Sequence, residues 1–324
     1  MKTRQRPLLL ALAAGIAFAP TLLRAQGFPE KPITFVVPFA AGSATDQIAR
    51  AIGQAVAAEA KQSVVVDNKG GASGFIASQL VAKAPADGYT VLITTNTTHA
   101  ANEHLFKKIP YDPVKDFAPL TGLGKGGQIM VVNPSMPAKT VAEFIALAKK
   151  EPGKYSFGSG SSSSRMAGEL LQQMAGIKLL HVPYKSNPLA ITDLLGGQIH
   201  MMITDTATGL PQVKAGKLKA LGMSSAKRSP LVPEVPTIAE AGVPGYEMGF
   251  WFAAYAPAGT PPAVVKRLNE LLVKAARSEA ARTGFYEASG TEVFTTTPDE
   301  LAKFQAGESQ KWARIIKAAG IEAE

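Results

Sequence analysis

The residues of this sequence whose types and spacing can do chemistry lie in short polar loops, each between an apolar run and a helical pattern. Ala40-Ala41-Gly42-Ser43-Ala44-Thr45-Asp46 follows the run Ile33 to Phe39. Gly42 can take the left-handed turn that other residues resist. Ser43, Ala44 and Thr45 then offer first-turn amides with no intrahelical acceptor, where an anion is stabilised. Taken alone, the loop is equally a plain N-cap. Two more strand patterns end in Asp67-Asn68-Lys69-Gly70-Gly71-Ala72-Ser73-Gly74 and in Thr94-Thr95-Asn96-Thr97-Thr98-His99. They add Asn68, Gly71, Ala72, Ser73, Asn96, Thr97 and Thr98 as candidates. Further on, Gly158-Ser159-Gly160-Ser161-Ser162-Ser163-Ser164-Arg165 again joins a strand to a helix. Ser159, Ser161, Ser162 and Ser163 supply hydroxyls and amides. Arg165 either pairs with a carboxylate through its planar fork or lies on a solvated helix face. Asp205, after the run Ile199 to Ile203, either accepts from a ligand hydroxyl, an ammonium or a bridging water, or caps the next helix.

The inventory for catalysis is thin. The four histidines, His99, His104, His181 and His200, show no metal-ligand spacing, and there is no cysteine. No nucleophile elbow, H-E-x-x-H or P-loop occurs. We therefore expect no catalytic residue, no metal and no cofactor, which argues against a hydrolase or lyase. Gly122-Leu123-Gly124-Lys125-Gly126-Gly127 spells G-x-G-x-x-G, but a dinucleotide fingerprint must follow a strand and open a helix. An apolar β-like run follows here, and the segment reads as a hinge.

The elements that must position these loops alternate. Strands are expected at Ile33 to Phe39, Val64 to Val66 and Tyr89 to Thr94, and helices at Thr45 to Glu59 and Phe75 to Ala84. That order implies a parallel sheet covered by helices, with the three loops on one sheet edge, where open α/β sheets bind ligands. The pattern repeats with strands at Gln128 to Asn133, Tyr155 to Gly158, Leu179 to Val182, Ile199 to Ile203 and Lys219 to Met223. Helices are expected at Thr140 to Lys150, with a capping box from Thr140 and Glu143, at Arg165 to Ala175 and at Pro188 to Leu195. Phe250 to Ala256 is extended, and Pro261 to Arg277 and Pro298 to Ala319 are helical. Two crossings, at Thr121 to Gln128 and around Gly249 to Ala254, divide the chain. Residues 26–124 and 254–324 form domain one and residues 125–253 form domain two, with the ligand in the cleft between them.

Lys2, Arg4 and Arg6 precede the apolar run Leu8 to Ala19, and Ala25 before Gln26 is the expected cleavage point. This is a secretory leader over residues 1–25, with a run too short for a membrane span. Its loss removes four basic residues (Lys2, Arg4, Arg6, Arg24) and takes the net charge from +9 to about +5. That mild balance, with no Lys/Arg tract, argues against nucleic acid.

Several ordered pieces carry a resemblance. They are Pro29-Glu30-Lys31-Pro32-Ile33, Val64-Val65-Val66-Asp67-Asn68, Ala86-Asp87-Gly88-Tyr89-Thr90, Pro110-Tyr111-Asp112-Pro113, His181-Val182-Pro183-Tyr184-Lys185 and Ala256-Pro257-Ala258-Gly259-Thr260-Pro261. From about Phe28 to the C-terminus the chain resembles the tripartite tricarboxylate transporter substrate-binding family, also called the Bug family of periplasmic receptors. The resemblance implies an α/β, two-lobed periplasmic-binding-protein fold of the Venus-flytrap, type II-like kind, with two crossover segments. It implies a periplasmic receptor for a small carboxylate, an organic acid or acidic amino acid, that serves membrane permease subunits. A monomer is expected. The family's ligand loops fall on Gly42 to Asp46, Asn68 with Gly71 to Ser73, Asn96 to Thr98, the Ser159 to Ser163 loop and Asp205. A sensor component without its own transporter is the alternative. The sequence departs from the family pattern in four places: Ala40-Ala41-Gly42-Ser43 stands for the usual Pro-Pro-Gly-Gly, the serine loop is about two residues shorter than the common form, and two single residues differ. Gly70 replaces a usual proline, and Arg165 stands where a histidine is usual. Arg165 is expected to favour a ligand with a second acidic group.

Overall fold

A computed structural model describes residues 27–323. The expected leader lies outside the described residues. Ten strands among the described residues form one curled sheet in the order β2-β1-β3-β9-β4-β7-β5-β6, with β10 and β8 also paired to β4. The first strand set is β1 (Ile33–Val37), β2 (Val64–Asn68) and β3 (Thr90–Thr95), with β1 parallel to both neighbours. The second set is β5 (Ser156–Ser159), β6 (Leu180–Pro183), β7 (Met201–Asp205) and β8 (Lys219–Met223), with β5 parallel to β6 and β7.

Two long antiparallel strands join the sets. β4 (Phe117–Val132) has sixteen residues, and its first part pairs with β9 (Gly249–Pro257), from Phe117↔Pro257 to Gly127↔Gly249. Its last residues, Ile129 to Val132, lie between β7 and β8. The glycine-rich crossing, expected as a hinge, is therefore continuous strand that runs from the first strand set into the second. Glycine is normally poor in strands, but here packing requires it. A Cβ on Gly122 would sit 2.6 Å from Phe294 Cδ1, and one on Gly127 would sit 2.7 Å from Ser225 Cβ. The short strand β10 (Glu292–Val293) pairs with β4 at Lys125 and Gly124, and a Cβ on Gly124 would sit 2.7 Å from Thr291 Cγ2, just before β10.

Strand alternation assigns the cores. Ile33, Phe35 and Val37 of β1 face one cluster with Ile48, Ile52 and Val56 of α1 (Ala44–Ala60), and with Leu268, Leu271 and Leu272. Val36 faces the opposite cluster, which runs on beneath the second set through Met130, Phe144, Phe157 and Met201. Ile129, Val131 and Met202 face a third cluster. The helices that cover these faces are α2 (Phe75–Ala82), α3 (Asn102–Leu105), α4 (Val141–Lys150), α5 (Ser162–Ala175), α6 (Asn187–Leu195) and α7 (Thr206–Lys214). After β9 come α8 (Pro262–Ala276), the three-residue turns α9 (Glu279–Ala281) and α10 (Glu287–Ser289), and α11 (Pro298–Ala318). Both long C-terminal helices contact β4, and α8 also packs on α1. No helix among the described residues is long and apolar enough to cross a membrane.

Helix starts follow their caps. Thr140 accepts from Glu143 N, but the Glu143 carboxylate bonds Lys139 N, one residue before the cap, so the expected reciprocal box is displaced. Helix α5 begins three residues before the expected Arg165, because Ser161 Oγ accepts from Ser164 N at 3.2 Å and pulls Ser162 to Ser164 into the first turn.

Candidate functional site

Three of the predicted loops meet in a cleft between the strand sets. Gly42 has φ of 80°, and Ser43 caps α1 by accepting from Asp46 N at 3.3 Å. By position, the Ala44 and Thr45 amides have no acceptor within the helix. Ser161 and the amides of Ser162 and Ser163 repeat the arrangement at the start of α5. A narrow cavity of about 30 Å³ lies between these starts, lined by Ser43, Ala44, Thr45, Ser161 and Ser163 together with Asp205. It has room for about two water molecules, or for the two oxygens of a carboxylate. Phe39, Phe250 and Phe252 form its apolar wall, and a low-dielectric wall strengthens an electrostatic contact made against it.

Asp205 caps α7, accepting from Thr208 N at 2.8 Å through Oδ1. Its Oδ2 accepts from Asn187 Nδ2 at 2.8 Å, and Asn187 Oδ1 accepts from Gly160 N at 2.9 Å. One chain of bonds thus ties three loops of the second set. Gln128, fully buried at the end of the glycine run, donates from Nε2 to Ser163 O at 3.2 Å. The site can therefore present amides to an anion on one side and a carboxylate acceptor, for a hydroxyl, an ammonium or a water, on the other.

Other predicted residues hold the loops rather than line the cavity. Asp46 accepts from Gly42 N at 2.9 Å and from Arg50 Nε at 3.0 Å. Burial would raise its carboxyl pKa, but hydrogen bonds from Arg50, Gly42 and Asn68 and the Arg50 charge hold it below the ordinary value. Asn68 donates to Phe39 O at 3.0 Å. Asn96, Thr97 and Thr98 are fully buried behind the cavity, and Thr95, one residue earlier, lines it.

A larger chamber of about 390 Å³ adjoins the narrow one, sharing Phe39, Gly160 and Ser161 with it. Gly71, Ala72, Ser73, Ser159, Ser162 and Arg165 line it, with His181 and Lys185 beside them. Ser159 Oγ lies 2.7 Å from His181 Nε2. Glu169, one turn behind Arg165, feels the guanidinium charge, although burial leaves its carboxyl pKa raised. Near Gly42 lies a third space, where Gln47, Pro188, Thr208 and Gln212 form part of a lining with no charged side chain. The larger chamber thus carries cationic side chains in its lining, and the space near Gly42 carries none.

Sequence reasoning missed Phe39, Thr95, Gln128 and Asn187. Asn187 was within reach, since it opens a helix after a strand like the loops that were found. Thr95 depends on which strand residue faces inward, and Gln128 on reading the glycine run as strand.

A two-lobed α/β fold with a polar cleft between the lobes is the architecture of periplasmic binding proteins, and the structure of BugD superposes with a TM-score of 0.88 at 32% identity, covering 92% of this chain and all of that one. The model of the tripartite tricarboxylate transporter family receptor, TctC, matches residues 48–321, and the chain belongs to that family. It is a solute-binding receptor, a binding protein rather than an enzyme. BugT of Bordetella pertussis is 35% identical over 312 residues, covering 95% of this chain and 94% of BugT. A structure of R. palustris Rpa4515 with adipate superposes with a TM-score of 0.89 at 35% identity, covering 92% of this chain and all of that one. MatC from Rhodopseudomonas palustris with bound malate gives 0.84 at 31% identity, covering 89% of this chain and all of that one.

Proposed function

We propose that this receptor captures a small carboxylate outside the cytoplasmic membrane and delivers it to the permease subunits of a tripartite tricarboxylate-type transporter. The observation that carries the reading is the pair of capped helix starts, one from each strand set, that face a single narrow cavity. One carboxylate docks there on the amides of Ala44 and Thr45 and of Ser162 and Ser163. Asp205 accepts from a water or from a hydroxyl or ammonium on the ligand. A second acidic group extends into the larger chamber, toward Arg165 and Lys185, because that chamber adjoins the narrow cavity and carries these two cationic side chains. The adipate and malate in the relatives' structures are both dicarboxylates, which supports a ligand with two acidic groups.

The leader is removed near Ala25 and the mature protein works in the periplasm as a monomer. Residues 26–124 with 254–324, and residues 125–253, move as two bodies about β4 and β9. The closed form docks on the permease.

Native mass spectrometry of freshly purified protein should reveal a co-purified organic acid, and titration calorimetry should return affinity for that acid. Protein that carries no acid, and gives no heat with a panel of mono- and dicarboxylates, sinks the reading. Within it, Arg165→Ala should weaken dicarboxylates about tenfold and leave monocarboxylates near wild type. If affinity for every carboxylate is unchanged, the second acidic group does not meet Arg165.

A further inference from the structure

Asn102 ties the two strand sets together at the cleft. It lies on α3, behind the first set, and is fully buried. Its Nδ2 donates to Ser73 O at 2.9 Å and to Tyr111 Oη at 3.2 Å. The Tyr111 hydroxyl gives its own hydrogen to Thr98 O at 2.9 Å. Both neighbours of Nδ2 therefore need a donor, and this fixes which way the amide points. Its Oδ1 faces Ser162 Oγ and accepts from it at 3.0 Å. Ser162 belongs to the first turn of α5, in the other strand set, between the two serines that line the narrow cavity.

The second bond falls on a strained segment. Ala72 and Ser73 have φ of 46° and 51°, between Gly71 and Gly74, which are also positive. Left-handed backbone costs a non-glycine residue roughly 1–2 kcal/mol, so such a segment persists only where its surroundings hold it. Asn102 supplies part of that hold through Ser73 O. The Gly71–Gly74 segment and Ser162 line the same large chamber, from opposite strand sets. One amide thus grips both walls, with no ligand in the chain of bonds.

We propose that Asn102 is a latch: a positioning residue that holds the cleft partly closed before any ligand enters, and keeps the two chamber walls in register. A receptor whose closed form is already populated asks less of its ligand, since the ligand must supply only the remaining difference between states. The inference goes beyond the carboxylate reading, because the latch contains protein groups only.

The test uses the full chain, freed of ligand, with Ser162→Ala, Asn102→Ala, their combination and Ser162→Thr. Small-angle scattering should show a larger radius of gyration for Ser162→Ala than for wild type, and Ser162→Thr, which keeps the hydroxyl, should stay at the wild-type value. Amides of residues 71–74 should exchange with solvent about fivefold faster in Ser162→Ala, although the substitution lies in the other strand set. The double variant should open no further than Asn102→Ala, since the two residues act through one bond. Unchanged scattering and exchange in Ser162→Ala, or effects that simply add, overturn the latch. Because no ligand is present in any arm, these results are independent of whether carboxylates bind.

Discussion

Asp205 sets a negative side chain beside amides that attract negative charge, and this contrast predicts selectivity. Its two oxygens already hold Thr208 N and Asn187 Nδ2, so what remains is acceptor capacity toward the cavity. Asp205→Asn puts a donor where an acceptor stood. Affinity for malate, which carries a hydroxyl, should fall several-fold relative to succinate, which does not. Calorimetry with both acids checks this, and an equal change for both would place the hydroxyl elsewhere. His99 makes a different residue-scale prediction. Its ring is fully buried, stacked on Tyr255 at a centroid distance of 3.9 Å, and its Nδ1 lies 2.8 Å from Thr98 Oγ1. Burial drives its pKa down to about 3. In the unfolded chain a histidine titrates near ~6.5. Between these values the unfolded chain takes up a proton that the folded protein refuses. The stability is therefore intact above the unfolded value and declines as pH falls toward the folded one. His99→Phe, which keeps an aromatic ring, should remove about 2 kcal/mol of the stability lost between pH 7 and pH 5. Urea unfolding at the two pH values measures it, and an unchanged pH dependence would mean that His99 is not held neutral.

At the scale of elements, β4 shows where a single sequence stops being readable. Its glycines look like a hinge because nothing nearby in the chain explains them. The explanation is Phe294 and Ser225, far away in sequence and pressed against the strand. On Gly122 a new methyl would meet both the ring and the carbonyl oxygen of Phe294, at 2.6 and 2.7 Å. Gly122→Ala should therefore cost about 1–3 kcal/mol. Gly307 in α11 is the control, exposed and helical with open space about it. Gly307→Ala should raise stability by about 1 kcal/mol or somewhat less. Urea midpoints for the two variants should move in opposite directions, and a neutral Gly122→Ala would mean that the Phe294 ring and carbonyl do not hold that position to glycine. The loops were legible for the opposite reason. An apolar run, a small polar cluster and an amphipathic run are local, and they determine a strand, a cap and a helix start. That logic found Ser43 and Ser161. It stopped at Asn96 to Thr98, because which residue of a strand end faces a cavity depends on the register with its neighbours. Here β3 pairs with β9 through Thr95↔Phe252, and both of those residues line the narrow space.

For the whole molecule, the division of the cleft into a narrow cavity and a larger charged chamber should make the two ends of a ligand respond differently to salt. The narrow cavity holds about 30 Å³ and is partly walled by aromatic rings, so a carboxylate that fills it leaves no room for a counter-ion and screening there should be slight. The larger chamber carries Arg165 and Lys185, and Lys185 is exposed. At ~0.15 M salt the screening length is about 8 Å, and it shortens as salt rises, so an attraction acting through that chamber weakens. A dicarboxylate should therefore lose several-fold in affinity between about 0.05 and 0.5 M salt, whereas a monocarboxylate of the same chain length should lose little. Lys185→Ala sharpens the comparison. Its position on the surface leaves the fold intact, and the variant should flatten the salt dependence of the dicarboxylate toward that of the monocarboxylate. Calorimetry over a salt series for both acids and both proteins supplies the four slopes. Equal slopes for the two acids in wild-type protein would mean that the second acidic group never reaches the charged chamber, and that the orientation argued from its charge is wrong.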